Sequence, residues 1–134
     1  MSDQAKKILI VDDDVDFIQA NKVALESMGF EVITATDSRQ GVELAAQEKP
    51  DLITLDLMME KMYSGFSVVE ALNAHEETAG IPIIMISAVT TETGFRVDTG
   101  GQKPEWLDVV EFVHKPIDPV DLAKKVASIL EGKS

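Results

Sequence analysis

Ile8-Leu9-Ile10-Val11 runs directly into Asp12-Asp13-Asp14, so four branched apolar residues give way to three carboxylates with no spacer. An apolar run this short cannot make a helix with a buried stripe. Without alternation it reads instead as a strand buried on both faces. The pattern recurs at Leu52–Leu55, which ends in Asp56, and at Ile83–Ile86, which ends in Ser87. It recurs again at Val109–Val113, followed by His114, Lys115 and Pro116. Glu31–Ala35 is more polar and reads as an edge strand.

The segments between these runs have helical spacing. Phe17, Ile18, Ala24, Leu25 and Met28 share one face, and Gly29 follows as a stop. Asp37-Ser38-Arg39-Gln40 resembles a capping box that leads to Val42, Ala45 and Ala46, with Pro50 as the break. Phe66, Val69 and Leu72 follow Gly65. Asp118 caps a last helix with Pro119 at its first position, and Leu122, Val126 and Ile129 form its buried stripe. Strands alternating with helices imply an α/β fold: a doubly wound parallel sheet with right-handed crossovers and helices on both faces. Between Ala88 and Leu107 stand Gly94, Gly100, Gly101 and Pro104 with a thin apolar pattern, so the fourth crossover helix is expected to be short or irregular.

The chain has 134 residues, enough for one domain with a sizeable core, and 45% of them are hydrophobic. The reading is a single domain over 1–134 with its core at 6–131 and no output domain. There is no cysteine, which excludes disulfides, thiolate metal sites and a thiol nucleophile. The net charge of −12 repels phosphate backbones and anionic membranes, so direct nucleic-acid binding is not expected. Ile8–Val11 is too short for the apolar core of a signal peptide or for a membrane span. These features place the chain in the cytoplasm with no membrane insertion.

In a sheet of this kind, ligands bind beyond the carboxyl ends of the strands. Asp12, Asp13, Asp56, Ser87 and Lys115 therefore converge on one rim. Crowded carboxylates take up protons or bind a cation. Oxygen ligands without His or Cys favour magnesium, which holds one or two carboxylates, waters and a phosphate oxygen. An Asp is a competent nucleophile toward phosphorus and gives an acyl phosphate. Lys115 can pair with an incoming phosphoryl group and Ser87 can donate a hydrogen bond to it, the positioning and neutralisation that phosphoryl transfer needs. Asp14 is read as a helix cap and not as a ligand.

These motifs, in this order, resemble the receiver domain of response regulators, the phosphoacceptor module of two-component signalling, over Lys6 to Leu130. The resemblance implies a flavodoxin-like five-stranded sheet of order 2-1-3-4-5. It implies that Asp12 and Asp13 are the acidic metal pair and that Asp56 is the phosphorylated residue and a third metal ligand. It further implies that the backbone carbonyl of Met58 is a ligand, Ser87 the switch hydroxyl, Lys115 the pocket lysine, Pro116 a cis-proline and Phe112 the aromatic that rotates on activation. The implied cofactor is magnesium, or manganese in its place. The implied phosphodonor is a histidine kinase or phosphotransfer protein, with the signal expected to pass to a downstream partner protein that the sequence does not name. Such a domain transfers and hydrolyses its own phosphoryl group but turns over no external substrate, so it is not counted as an enzyme.

The chain also departs from the family pattern. Glu60 stands where a proline is usual, Gly65 arrives late, Met58 occupies a position often held by a polar side chain, and the span from Ser87 to Lys115 is longer than usual. Other readings fit less well. A haloacid-dehalogenase-type phosphatase needs Asp-x-Asp-x-Thr/Val after the first strand, which Asp12-Asp13-Asp14-Val15-Asp16 does not match, and it needs a later acidic pair. A flavodoxin-like carrier needs a hydroxyl-rich loop where three aspartates would repel FMN phosphate. A degenerate receiver serving only as an interaction module is the remaining alternative.

Overall fold

Four strands of the sheet come from the short apolar runs and the fifth from the more polar Glu31–Ala35, and the computed structural model places all of them in parallel. It describes residues 6–56, 64–87, 111–114 and 117–132. In chain order the elements are β1 (Lys7–Val11), α1 (Val15–Ser27), β2 (Glu31–Ala35), α2 (Ser38–Glu48), β3 (Leu52–Asp56), α3 (Ser64–Asn73), a single turn α4 (Glu76–Ala79), β4 (Ile83–Ser87), β5 (Glu111–His114) and α5 (Pro119–Gly132). The sheet order is β2-β1-β3-β4-β5, as the resemblance implies, and the more polar β2 is at an edge.

The absence of alternation in the strands has a direct cause, because both faces are covered. Ile8, Ile10, Leu52, Ile84, Ile86 and Val113 pack with Ile18 and Leu25 of α1 and with Leu122 and Val126 of α5. Residues of the opposite parity, Leu9, Val11, Ile53, Leu55, Ile83 and Met85, pack with Ala45 of α2 and with Val68, Val69 and Leu72 of α3. Successive side chains of a strand point to opposite faces, so a strand between two helical layers must be apolar throughout.

Local chemistry ends each helix. Asp14 caps α1, its carboxylate accepting the Phe17 N–H at 3.2 Å. At the other end Gly29 takes φ 95°, the Phe30 N–H reaches the Leu25 carbonyl at 3.2 Å and the Gly29 N–H reaches Glu26 at 3.0 Å. That pair of bonds is a Schellman motif, which needs a residue free of the Cβ penalty in the left-handed region. Asp118 accepts from the Val120 N–H at 2.8 Å, with Pro119 opening α5.

Several expectations need correction. Asp37 does cap α2 through the Gln40 N–H at 2.7 Å, but the Gln40 amide accepts from Thr36, one residue before the cap, so the capping box is displaced. Met28 is 46% exposed and does not join the buried face of α1, because the chain leaves the helix there; Asn21, one turn before Leu25, is buried instead. Ala46 is exposed and only its neighbour Ala45 reaches the core. The described part of the last strand is Glu111–His114, shifted toward the rim from the apolar run at 109–113. The irregular helix expected in 88–107 falls outside the described residues. Among the described residues no helix is long and apolar enough to cross a membrane.

Candidate functional site

The acidic rim is built by two strands that pair directly. Ile8 to Val11 of β1 lie opposite Leu52 to Leu55 of β3, so Asp12 and Asp56 are the next residues out, level with each other. Asp12 is held from two sides. Its N–H donates to the Ala35 carbonyl at 3.0 Å, tying it to the end of β2. One of its carboxylate oxygens accepts the Asp14 N–H at 2.8 Å, which turns the chain from β1 into α1. Asp12 is 1% exposed and Asp56 5% exposed, whereas Asp13 is exposed to solvent.

One carboxylate oxygen from each of Asp12, Asp13 and Asp56 lies within 4.8 Å of the other two. Among the described residues this is the one cluster of three or more acidic or imidazole groups placed to share an ion. At that separation each pair of negative charges repels by about 3 kcal/mol at an effective dielectric of about 20, and by about 1 kcal/mol where water screens it fully. The positive end of α1, which starts at Val15, offsets part of this. A small divalent cation would relieve more of it, and an all-carboxylate donor set suits magnesium or manganese better than the softer metals that select imidazole or thiolate.

Other rim positions are fixed by register. Asp56 lies opposite Ile86, so Ser87 is one residue further out on the neighbouring strand. Ser87 in turn lies opposite His114, and Phe112 opposite Met85. The backbone thus brings the ends of β1, β3, β4 and β5 to one edge. The side chains of Ser87 and Phe112, and all of Met58, Lys115 and Pro116, lie outside the described residues. Asp14 sits at the rim as the cap of α1 and does not belong to the three-carboxylate cluster.

One contributor to the rim escapes a reading based on strand ends. Gly41 of α2 is buried against Val11, the residue just before Asp12; a Cβ placed on it would lie 2.9 and 3.0 Å from the two Val11 methyl carbons. The signal in the sequence is a glycine inside a helix, which costs stability unless the backbone must approach something closely. At the opposite end of the strands the Lys7 N–H donates to the Asp51 carboxylate and the Asp51 N–H to the Lys7 carbonyl, both at 2.7 Å. The Lys7 ammonium lies 2.8 Å from Glu48, and that hydrogen bond holds its proton more tightly than in an ordinary lysine. A cavity of about 390 Å³ near this end is lined by Met28, Phe30, Ala127 and Leu130 with Lys6 and Glu131, far from the acids.

Comparison with known proteins agrees with this architecture. The family described as the response regulator receiver domain matches residues 8–127. The chain is 32% identical over 126 residues to the protein PilH of Pseudomonas aeruginosa, covering 94% of this chain and 98% of PilH. It is 35% identical over 128 residues to the DNA-binding dual master transcriptional regulator RpaA of Synechocystis, covering 92% of this chain but 48% of RpaA. The chain spans about half the length of RpaA and of other transcriptional regulators of comparable similarity. The receiver domain of sensor histidine kinase PA1611 from Pseudomonas aeruginosa, solved with magnesium in its active-site cleft, superposes with a TM-score of 0.77 at 21% identity, over 96% of this chain and 99% of that one. At that identity the likeness concerns the fold.

Proposed function

The chain belongs to the response regulator receiver domain family of two-component signalling, and on that premise we propose that it is a magnesium-dependent phospho-switch whose acceptor is Asp56. The observation that carries the reading is the convergence of Asp12, Asp13 and Asp56 within 4.8 Å at the carboxyl rim of a parallel sheet. Asp12, Asp13, Asp56 and the carbonyl of Met58 would hold the ion, whose contribution is to neutralise charge on the acids and on an incoming phosphoryl oxygen. The magnesium in the cleft of the Pseudomonas receiver domain supports this assignment.

In the proposed transfer a carboxylate oxygen of Asp56 attacks the phosphorus of a phosphohistidine on a histidine kinase or phosphotransfer protein. The new P–O bond forms as the P–N bond breaks, and the electron pair returns to the imidazole nitrogen, which takes up a proton. Lys115 pairs with a phosphoryl oxygen, and the Ser87 hydroxyl donates to another. Burial of Asp56 limits the approach of water, so the acyl phosphate persists until a water attacks the same phosphorus. Ser87 and Phe112 then carry the change to the surface, where a partner protein reads it. The net charge of −12 supports output through protein contact and not through DNA contact by this domain itself. RpaA, named as DNA-binding, has about twice the length that this chain matches.

Incubation with acetyl phosphate and magnesium, read by intact mass and peptide mapping, tests the proposal. One phosphoryl group is expected on the peptide that contains Asp56, with none in Asp56→Asn. No uptake under any magnesium concentration would favour the degenerate interaction module instead, and stoichiometric phosphate on Asp13 or His114 would reassign the acceptor.

A further inference from the structure

We propose that Gly41, which lies outside the acidic cluster, is a positioning residue for its cation; this rests on the magnesium site proposed above. The argument begins with the two atoms nearest to its missing side chain. A Cβ at position 41 would come within 2.9 Å of one Val11 methyl and 3.0 Å of the other, where ordinary van der Waals contact starts at 3.4 Å. Something must move by about 0.5 Å to admit a single carbon. Val11 has no easy escape. It is 1% exposed, it is packed in the α2–α3 layer, and its β-branched side chain is stiff about χ1.

Displacement of Val11 is displacement of Asp12, the next residue. The opposite anchor of Asp12, the 3.0 Å bond from its N–H to Ala35, holds it toward β2, so the backbone there is gripped between a hydrogen bond and a close helix. The α2 backbone is itself fixed nearby, since the Gly41 N–H donates to the Asp37 carbonyl at 3.0 Å in the first turn behind the Asp37 cap. Magnesium demands near-ideal octahedral geometry, and a site held to about 0.5 Å loses affinity when a ligand is moved by that amount. A bare Cα at position 41 is therefore what allows α2 to seat β1 with the Asp12 carboxylate at the right spacing from Asp13 and Asp56.

Isothermal titration calorimetry with magnesium chloride on wild type, Gly41→Ala, Val11→Ala and the double variant tests this, alongside urea unfolding in EDTA. Gly41→Ala is expected to weaken magnesium about tenfold, as loss of a supporting group commonly does. Val11→Ala removes the methyls that the new Cβ meets, so the double variant is expected to bind within about twofold of Val11→Ala alone. In the ion-free protein the amide NMR signals of Asp12 and Asp13 should move in Gly41→Ala while those of 122–130 stay in place. A Gly41→Ala protein that loses stability yet binds magnesium like wild type would reduce Gly41 to a packing residue and overturn the proposal. So would a double variant that remains tenfold weaker than Val11→Ala, a comparison that stands even if the single variant is too unstable to titrate. Wild-type protein that takes up no magnesium would instead overturn the metal reading itself, and this proposal with it.

Discussion

Replacing Asp56 by Asn should make the ion-free protein more stable, because the native fold assembles charges that repel. Asp56 is 5% exposed and has two carboxylate neighbours whose oxygens lie within 4.8 Å. Its pairing with Asp12, itself 1% exposed, falls near the upper figure of about 3 kcal/mol, while its pairing with exposed Asp13 falls near about 1 kcal/mol. The helix dipole of α1, solution counterions and the further polar contacts of Asp12 and Asp56 return part of this sum, leaving about 1–3 kcal/mol of relief on removal of one charge. Asn keeps the shape and an acceptor oxygen, so packing contributes little to the difference. With an unfolding entropy of about 2.1 cal/mol/K per residue over the chain, the expected rise in Tm is about 4–10 °C in EDTA. Magnesium should narrow the gap, since an ion at about 100 times its Kd stabilises wild type by about 2.7 kcal/mol and has lost a ligand in the variant. Differential scanning calorimetry with and without magnesium measures both effects. An Asp56→Asn protein that melts at or below wild type in EDTA would refute the reasoning, since the cluster would then not be under charge strain.

Asp14→Ala should cost about 1 kcal/mol in urea unfolding through loss of the bond to the Phe17 N–H, while leaving magnesium affinity within about twofold. A large loss of affinity would place Asp14 among the ligands. Asn21→Leu should stabilise by about 1–2 kcal/mol: the Asn21 Oδ1 is buried without a hydrogen-bond partner among the described residues, and removing its desolvation cost outweighs the lost 2.8 Å bond from its Nδ2 to the Phe17 carbonyl. A destabilised Asn21→Leu would mean that the oxygen has found a partner such as a buried water. Gly29→Ala should cost about 1 kcal/mol with no clash against other elements, because among the described residues nothing beyond its own chain neighbours lies within 4 Å of the added carbon and the penalty is the local one of φ 95°. Equal stability in thermal melts would show that the helix end relaxes out of the left-handed region.

The parts of the fold legible in the sequence were those written in consecutive residues. Ile8–Val11 and Leu52–Leu55 announce strands buried on both sides because no residue in them can face water, and their termini announce the rim because parallel strands all end on the same edge. Asp14, Gly29 and Asp118 mark helix ends by bonds that stay within a few residues. Legibility fails where the deciding partner is remote. Met28 carries the apolar spacing of α1, but exposure is settled by where the chain departs, not by the period. The turn α4 is held by the Thr78 hydroxyl on the Leu72 carbonyl at 2.6 Å, a contact with no periodic trace. Gly41 shows only as a glycine in a helix; that it presses on Val11 depends on how α2 lies across the sheet. Within the site the acids were readable from strand ends, and the register shows Ser87 and Phe112 in their strands.

The pairing of β1 with β3 also has a consequence in time. The two halves of the acidic cluster lie far apart in the chain, separated by α1, β2 and α2, and meet only when these strands zip together in parallel. Closure of the sheet is therefore a step that works against its own charge, in addition to the loop-closure entropy of the long crossover. Added simple salt, with a screening length of about 10 Å at 0.1 M, shields the approaching strands and should quicken refolding even though no salt ion occupies a defined place. The same repulsion sits in the finished native state and lowers the barrier to its opening. The acidic rim thus loads one of the interior pairings of the sheet, β1 with β3, with a repulsion that its packed apolar residues must outweigh.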